Sequence, residues 1–408
     1  MTPSFRLFTI IWLYRYIRFV VNCLSSWTFK PYPLPEKPTY FPEDVTIIIP
    51  TTGRVEDDWR LHECIISCLR TKPWAIMIVT VNIERERLAR LVKAIDSQIQ
   101  VLSIGYANKR HQLCHAIPKV RTRITVLADD DVIWPQTLLR YVLAPFEDGN
   151  VGAVGTFQCV RHRHDLGTMG TIWQYLGACY IERRNFEISA TSHIDGGISC
   201  LSGRTSGIRT GIIQSNEFLL GYANERWLGR QLKPDDDNYV TRFLVSNAWN
   251  IQIQAAREAE LLTTLETNPK FLHQCLRWAR SNWRSNITSL IYERHVWRRQ
   301  LWCVYSLYFS MFTHSLIHDL LMFFLLYTSI EDANDRRRYI HLFLFWLLIT
   351  KVTKLLPHFA RHPSDIFMIP VTIVFGYLHG LIKYYALFTL HVSAWGSRMG
   401  DTGQERMA

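Results

Sequence analysis

Three long apolar stretches near the C-terminus constrain the fold more than any other feature of this sequence. They lie at about residues 301–329, 339–357 and 365–391. Each is as long as the roughly 20 apolar residues that a membrane-spanning helix needs. Trp302 and Trp346 fall near their ends, where aromatic residues meet membrane interfaces. A buried helical bundle is the alternative, but three such segments in succession favour a membrane.

A fourth apolar stretch, residues 5–27 at the N-terminus, is also long enough to cross a bilayer. Arg15 and Arg18 lie inside it, and charged groups are costly at the bilayer centre. An amphipathic helix in the interface is therefore the alternative to a span. Lys351 and Lys383 lie inside the C-terminal stretches and would have to reach the interface or face protein. Together these stretches predict an integral, multi-pass membrane protein.

Charge and cysteine content argue against several other classes of protein. The formal net charge is +11, and residues 270–299 hold seven Lys or Arg and one acid, Glu293. A basic, Trp-bearing segment beside an apolar span is typical of an interfacial segment on the cytosolic face. The sequence carries no nucleic-acid recognition motif, so no nucleic-acid partner is expected. Nine scattered Cys include no C-x-x-C pair, which argues against a zinc or redox protein.

Between residues 44 and 131, apolar runs alternate with helical patterns. The runs have the β-branched composition of buried strands: DVTIIIP (44–50), AIMIVTVN (75–82), IQVLSIG (99–105) and RITVLADDD (123–131). Helical patterns separate them at residues 57–71, 84–98 and 109–120. This alternation predicts an α/β fold with a mostly parallel sheet and right-handed crossovers. Ligands of such folds bind at the carboxyl ends of the strands.

The first acidic cluster, Asp129-Asp130-Asp131, falls at the end of the fourth predicted strand. Burying three carboxylates together is costly unless a cation neutralises them. Asp129 and Asp131 are two residues apart, so they share a face of an extended segment. Carboxylates together with substrate phosphates commonly hold Mg²⁺ or Mn²⁺, because these hard ions prefer oxygen ligands. A solvated acidic turn is the alternative interpretation.

Two further features carry candidate chemistry. Asp236 and Asp237 precede an apolar helical segment, where they either act in a site or simply cap the helix. Gln274, Arg277 and Trp278 are spaced i, i+3 and i+4, so one helical face carries an amide, a cation and a large aromatic plane. Taken alone, an Arg on a basic helix is more often a solvated or lipid-facing charge.

The order and spacing of these motifs resemble those of the processive membrane glycosyltransferases of family 2. That family includes the hyaluronan, chitin and cellulose synthases. Asp237 follows Asp131 by 106 residues, and Gln274 follows Asp237 by 37. ISCLSGRTSGIRT (198–210) resembles the Ser-Gly loop of these enzymes, and TLHVSAWGSR (389–398) resembles their short Trp-Gly-Thr-Arg segment. The resemblance covers residues 44–400 and is strongest to the fungal type 2 glycosyltransferases, which are similar to hyaluronan and capsule polysaccharide synthases.

The resemblance implies a UDP-sugar donor bound with Mg²⁺ or Mn²⁺. Asp129 and Asp131 would hold the metal, and Lys109 and Arg110 would contact the nucleotide or its phosphates. The family usually has an Asp after the second strand, where this chain offers the neutral Thr80 and Asn82 as groups for the base or ribose. Asp129 would also contribute to donor binding.

The remaining roles also follow from the resemblance. Asp237 would be the general base on an acceptor hydroxyl, with Asp236 beside it, and Arg277 would pair with the phosphates. Trp278 would stack on the acceptor sugar, with Gln274 and the loop residues Ser202 and Gly203 nearby. Attack opposite the leaving group inverts the anomeric centre, so that an α-linked donor gives a β-linked polysaccharide. Glucose, N-acetylglucosamine and alternating glucuronate are all compatible with these motifs, and no oligomeric state follows from them.

The expected organisation is a GT-A type, Rossmann-like domain joined to membrane helices. The segments are an N-terminal membrane helix (1–30), a linker (31–43), a cytosolic catalytic domain (44–269), interfacial helices (270–300), a transmembrane region (301–391) and a tail (392–408). Three single C-terminal spans would place the Trp395-Gly396-Ser397-Arg398 segment outside, although it should be cytosolic. Either 301–329 is re-entrant or holds two elements, or one stretch does not cross.

Two other functions fit parts of this pattern. A non-processive transferase that glycosylates a membrane lipid, similar to the ceramide glucosyltransferases, would share the acidic motifs. A catalytically dead membrane scaffold would be expected to have a broken acidic motif, and neither motif is broken here. The plasma membrane is the expected location, with the Golgi and the endoplasmic reticulum as alternatives.

Overall fold

The computed structural model of the chain describes residues 3–392. The predicted Trp395-Gly396-Ser397-Arg398 segment therefore lies outside the described residues. The expected linker lies between the N-terminal helix and the first strand of an α/β domain. That domain and the helices that follow it enclose the cavity described below.

Twelve strands form three sheets in the described part of the chain. They are β1 (Val45–Pro50), β2 (Ala75–Val81), β3 (Gln100–Ile104), β4 (Ile124–Ala128), β5 (Val132–Ile133), β6 (Val151–Thr156), β7 (Gln158–Val160), β8 (Thr205–Arg209), β9 (Arg226–Trp227), β10 (Arg230–Gln231), β11 (Asn250–Gln254) and β12 (Leu261–Thr263). The central sheet has seven strands in the order β11-β6-β8-β4-β1-β2-β3. The four predicted strands lie side by side in it as β4-β1-β2-β3, which confirms the α/β prediction.

The central sheet is mixed because one strand runs against the others. β1 pairs in parallel with β2 and β4, and β2 pairs in parallel with β3. β8 pairs antiparallel with both β4 and β6. Ile47, Ile48 and Ile49 of β1 are fully buried, because both faces of the sheet are covered by helices. The parallel strands β1, β2 and β4 therefore end at the same edge.

Sixteen α-helices lie around the sheet and beyond it within residues 3–392. They are α1 (Pro3–Thr28), α2 (Asp58–Leu69), α3 (Arg85–Lys93), α4 (Lys109–Ala116), α5 (Leu138–Leu143), α6 (Thr168–Asp195), α7 (Thr210–Ile213), α8 (Asn216–Asn224), α9 (Asp236–Ser246), α10 (Lys270–Ile287), α11 (Val296–Arg299), α12 (Leu301–Cys303), α13 (Ser315–Ser329), α14 (Ala333–Val352), α15 (Leu356–Arg361) and α16 (Ile369–Phe388). Helices α2, α3 and α4 follow β1, β2 and β3 and lie within the predicted helical segments.

Three helical segments are long and apolar enough to cross a membrane: Pro3–Thr28, Ala333–Arg361 and Pro363–Phe388. The predicted stretch 301–329 holds two elements, Leu301–Phe312 and Ser315–Ser329, which are bent by 89° at a short break. It is therefore not one straight span. Counted as a bent pair, it raises the number of candidate spans in the described residues to four.

Three charged side chains from three of the apolar stretches form one ion-pair cluster. Asp319 of α13 is 5% exposed, and one of its oxygens lies 2.9 Å from Arg15 of α1. Its other oxygen lies 3.3 Å from Lys351 of α14 and accepts a hydrogen bond of 3.0 Å from Tyr377 of α16. Four membrane-type helices thus converge on one carboxylate, as charged groups in such segments commonly pair in a bundle interior.

Candidate active site

The first acidic cluster lies where β4 ends, at the edge that β1 and β2 share. An oxygen of Asp129 lies 2.8 Å from the ammonium of Lys109, the first residue of α4. Asp130 is buried and accepts a 2.7 Å hydrogen bond from Thr51, which directly follows β1. Asp131 faces the same cavity as Asp129. Parallel strands therefore bring the predicted metal ligands and Lys109 together.

Lys109 joins the first acidic cluster to the second. Its ammonium also lies 2.8 Å from Asp236, at the start of α9. Burial alone would lower the pKa of Lys109, but the carboxylates of Asp129 and Asp236 outweigh it and hold that pKa well above its ordinary value. One fixed cation thus neutralises part of two acidic motifs that are far apart in the sequence.

Asp237 occupies a different electrostatic environment from its neighbour. Its carboxylate accepts hydrogen bonds from the backbone N–H groups of Asn238, at 2.9 Å, and Gly203, at 3.4 Å. Burial raises the pKa of Asp237, and the negative charge of Asp236 raises it further. Burial acts in the same sense on Asp236, but Lys109 lowers the pKa of Asp236 below its ordinary value. The pair therefore contains one strongly held anion and one more basic carboxylate, a division typical of catalytic acid–base pairs.

Gly203 allows the Ser-Gly loop to approach the acidic pair. A Cβ at this position would lie 3.3 Å from both the Cβ of Asp237 and the ammonium of Lys109. Such a distance is tighter than ordinary van der Waals contact, so a side chain would displace one of these groups. Glycine at this position lets a backbone N–H reach the Asp237 carboxylate.

A buried ion pair ties the second acidic cluster to α10. Asp235 has a φ of +68°, which is uncommon for a residue with a side chain. Its carboxylate binds the guanidinium of Arg284 through two hydrogen bonds, of 2.6 and 2.9 Å, and also accepts one from Ser281. The side chains of Asp235 and Arg284 are each 2% exposed. This pairing positions α9, and therefore Asp236 and Asp237, against the helix that carries Gln274, Arg277 and Trp278.

The three residues of the Q-x-x-R-W motif line one side of the cavity. Trp278 stacks on Tyr180 of α6 with ring centroids 5.0 Å apart. The guanidinium of Arg204, which follows the Ser-Gly loop, lies 5.3 Å from the centre of the Trp278 ring. Gln274 has a buried amide oxygen with no hydrogen-bond partner among the described residues. This wall therefore presents an aromatic plane, two guanidinium groups and an available amide.

The two acidic clusters, the Ser-Gly loop and the Q-x-x-R-W motif all line one cavity of about 470 Å³. Ten of the thirteen predicted site residues line it: Lys109, Asp129, Asp131, Ser202, Gly203, Asp236, Asp237, Gln274, Arg277 and Trp278. The cavity extends from the edge of the sheet to α16, where it is lined by Thr372, Phe375, His379 and Lys383. It thus connects the acidic clusters with a candidate membrane span.

The other three predicted residues do not reach this cavity. Arg110 is fully buried, and its guanidinium pairs with Glu225 at 2.5 Å and donates to the carbonyls of Tyr222 and Pro234. Its position does not support the expected contact with the nucleotide, because α4 directs Lys109 and Arg110 to different surroundings. Thr80 is fully buried within β2, and Asn82 is exposed on the turn that follows. Neither lines the cavity, so the expected contacts of these two residues with base or ribose are also not supported.

Three residues that the sequence did not single out have clear positions in the site. Arg204 and Arg184 line the cavity, and the guanidinium of Arg184 donates to the Cys200 carbonyl at 2.8 Å. Asp235 was part of an acidic run but carried no distinct signal. The positive charge of Arg204, directly after Ser-Gly, could have been noted from sequence. The Asp235–Arg284 pair joins residues 49 positions apart and required the tertiary structure.

The first acidic cluster has the chemistry of an open site for a hard divalent cation. No group of three or more His, Cys, Asp or Glu side chains within residues 3–392 is arranged to hold a metal by itself. Asp129 and Asp131 nevertheless offer carboxylate oxygens to the cavity, and the side chain of Asp129 is 32% exposed. Mg²⁺ commonly takes one or two carboxylates and completes its shell with substrate phosphates and water. The residues therefore fit a metal that binds together with a diphosphate.

The α/β domain places two acidic motifs beside a helix that carries Gln, Arg and Trp. This combination is typical of a nucleotide-sugar glycosyltransferase. Residues 42–281 match the family described as "Glycosyltransferase like family 2", and the chain belongs to this family. That match includes both acidic motifs and the Q-x-x-R-W motif, which ends at Trp278. It therefore covers most of the cavity wall described above.

Relatives and one solved structure agree with this assignment. The chain is 50% identical over 406 residues to a type 2 glycosyltransferase of Pyricularia oryzae, covering 98% of this chain and 84% of the relative. It is 33% identical over 282 residues to the NDP-glycosyltransferase ltbB of Aspergillus luteorubrus, covering 67% of this chain and 68% of the relative. It is also 24% identical to a hyaluronan synthase 2 of Xenopus laevis over 77% of this chain and 55% of the relative.

The fold is similar to that of a mannosyltransferase from Pyrobaculum calidifontis, solved in complex with GDP-mannose and Mn²⁺. The TM-score is 0.51 at 15% sequence identity, and the match covers 96% of this chain and 100% of the other. At this identity the similarity supports the GT-A-like fold.

Proposed function

We propose that this chain is an inverting, metal-dependent transferase that adds sugar from a UDP-sugar to a growing β-linked polysaccharide at the membrane. The supporting observation is that Lys109 joins the two acidic motifs in a cavity that extends to the membrane helix α16. The hyaluronan synthase relatives make a polysaccharide the favoured product. The active site faces the cytosol, where nucleotide sugars are available, and the plasma membrane is the proposed location.

In this mechanism Asp237 is the general base. Its carboxylate accepts the proton of an acceptor hydroxyl while the new glycosidic bond forms and the bond to the diphosphate breaks. Asp236, held by Lys109, remains ionised and keeps the pKa of Asp237 raised. Trp278 stacks on the acceptor sugar, and Arg277 and Lys109 attract the phosphates. Held by Asp129 and Asp131, Mg²⁺ or Mn²⁺ would neutralise charge on the leaving diphosphate.

Asp131→Ala is expected to abolish metal-dependent donor binding, because it removes one of two proposed protein ligands. UDP titration of the purified protein with Mn²⁺ and with chelator measures this effect. Wild type should bind UDP more tightly with the metal, and the variant should bind equally in both conditions. Glu86→Ala, which removes an exposed carboxylate of α3, is the matched control. An unchanged metal effect in Asp131→Ala would contradict the assignment.

The pH profile should reveal the raised pKa of Asp237. A general base is active only when deprotonated, so kcat/KM should fall as pH drops through that pKa. Because the folded pKa is raised, this acid limb should lie above the ordinary Asp value of about 3.9. In Asp236→Asn the neighbouring negative charge is lost, so the limb should move to lower pH. If the acid limb of the pH profile lay at the same pH in wild type and in Asp236→Asn, the charge of Asp236 would not raise the pKa of Asp237.

A panel of radiolabelled UDP-sugars tests the function as a whole. The protein is purified in nanodiscs and incubated with each donor, with Mn²⁺, Mg²⁺ or chelator, and products are separated by size and by extraction into organic solvent. Metal-dependent, high-molecular-weight label from one donor would support the polysaccharide synthase and identify its sugar. Label in the solvent phase would instead indicate a transferase that glycosylates a membrane lipid. Absence of both products and of UDP release would contradict the proposal.

A further inference from the structure

The end of the cavity next to the candidate membrane helices has a distinct set of charged and polar residues. Arg183 and Glu187 are four residues apart on α6, and His379 and Lys383 are four residues apart on α16. All four line the cavity, together with Tyr180. We call this region the inner chamber. Because i, i+4 residues share a helix face, two helix faces that carry charged and polar groups meet across it.

Positive charge exceeds negative charge in the inner chamber. Glu187 is already paired with Lys354, at 2.8 Å. Burial alone would raise the pKa of Glu187, but Lys354 and Arg183 lower it to about 2, so its charge is counted as −1. Arg183, Lys354 and Lys383 contribute three positive charges against it. Within the described residues, Glu187 is the one carboxylate that lines this region.

The two cations that line the inner chamber form no salt bridge with a carboxylate in the described part of the chain, although both are close enough to Glu187 to feel its charge. Arg183 forms no ion pair or hydrogen bond with any described side chain, and its side chain is exposed to the cavity. Lys383 donates only to backbone carbonyls, those of Ser310 at 3.1 Å and Thr313 at 3.4 Å. Carbonyl oxygens orient an ammonium group but do not neutralise it. The excess of charge is therefore local and faces the cavity.

His379 adds an independent observation. Its Nε2 is buried, yet it has no hydrogen-bond partner among the described residues. The ring is held by edge contacts with Tyr180, with centroids 5.6 Å apart, so its orientation is determined by packing. A buried polar atom without a partner is costly, and a bound ligand is one way to satisfy it.

We propose that the acceptor of this transferase is anionic and that its phosphate or carboxylate group binds Arg183, His379 and Lys383 in the inner chamber. This inference rests on the proposed function, because the acceptor hydroxyl must at the same time reach Asp237. Uncompensated cations in a partly dehydrated cavity are unfavourable, and an anionic ligand removes that cost. A uronic acid of a growing chain and the phosphate of a lipid-linked sugar share the required chemistry.

Equilibrium binding with matched probes tests the proposal without requiring turnover. The probes are a glucuronate-containing tetrasaccharide and its methyl ester, and farnesyl phosphate and farnesol. In at least one pair, we expect the anionic probe to bind the nanodisc-embedded protein at least tenfold more tightly than the neutral probe. A preference in the tetrasaccharide pair would indicate a uronate, and a preference in the farnesyl pair would indicate a lipid phosphate. Arg183→Gln should remove that preference, whereas Arg121→Gln, which removes an exposed charge elsewhere, should retain it.

Two results would overturn the anionic acceptor. One is the absence of a charge preference in both pairs, including absence of binding. The other is a preference that survives in Arg183→Gln. UDP release from donor is measured on the same preparations, so that failure of the glycosyltransferase proposal is seen separately from failure of the acceptor proposal. Arg183→Gln should raise the KM for an anionic acceptor and leave the KM for the donor unchanged.

Discussion

Asp237→Asn is expected to reduce sugar transfer by about 10²–10⁴-fold, the usual contribution of a general base. The amide keeps the shape of the carboxylate, and its single oxygen can still accept a hydrogen bond from the N–H of either Asn238 or Gly203. It cannot accept a proton from an acceptor hydroxyl. The loss should therefore appear in kcat, measured as label transferred from donor, while UDP affinity remains within a few-fold of wild type.

The control for this variant is Asp96→Asn, a substitution of the same kind at a residue away from the cavity. Its amide oxygen can still accept from the N–H of Gln98, so the local turn should persist. Transfer by Asp96→Asn should equal that of wild type. If Asp237→Asn lost UDP binding together with transfer, the carboxylate would be a donor-binding group and the general-base role would be wrong.

Asp319→Asn is expected to destabilise the helix bundle by about 3–5 kcal/mol, the usual cost of removing one partner of a buried ion pair. The carboxylate is shared by Arg15 of α1 and Lys351 of α14, both of which would keep their charges without it. Tyr377 of α16 would lose a charged hydrogen-bond acceptor. Contacts between four helices therefore depend on one side chain.

The effect on the bundle is measured by thermal unfolding in detergent, followed by size-exclusion chromatography with fluorescence detection. Asp335→Asn, at an exposed position in the first turn of α14, is the matched control and should unfold as wild type. Adding Arg15→Gln to Asp319→Asn should restore part of the stability, because it removes one uncompensated cation. Equal unfolding temperatures for Asp319→Asn and Asp335→Asn would contradict a structural role for this cluster.

The sequence was sufficient to predict the strands that carry the first acidic motif. The β-branched runs before Asp129 became β1 to β4 with ends displaced by no more than three residues, because period and composition report burial on both faces. β8 was not predicted, since Thr-Ser-Gly-Ile-Arg is short and contains polar residues and a glycine. Its antiparallel insertion beside β4 determines where the Ser-Gly loop meets Asp237.

Side-chain direction was the part of the site that local sequence could not decide. Lys109 and Arg110 are adjacent cations at the start of one helix, yet Lys109 faces the cavity, whereas Arg110 is buried and pairs with Glu225. Nothing within a few residues distinguishes them. The membrane segments show the same limit. The sequence left open whether residues 301–329 are re-entrant or hold two elements, or whether another stretch does not cross, and the structure shows two elements bent by 89°.

By itself, the sequence determined the chemistry of the molecule. Apolar periodicity depends only on local composition and spacing, so the α/β class and the candidate membrane helices could be predicted. The resemblance of the acidic and Q-x-x-R-W motifs to those of a known family indicated the glycosyltransferase family. Only the tertiary structure decided which charges meet. Lys109 bridging Asp129 and Asp236, Asp235 with Arg284, and Asp319 with Arg15 join residues between 20 and 304 positions apart. Such pairings result from the packing of whole elements, which is a property of the complete fold.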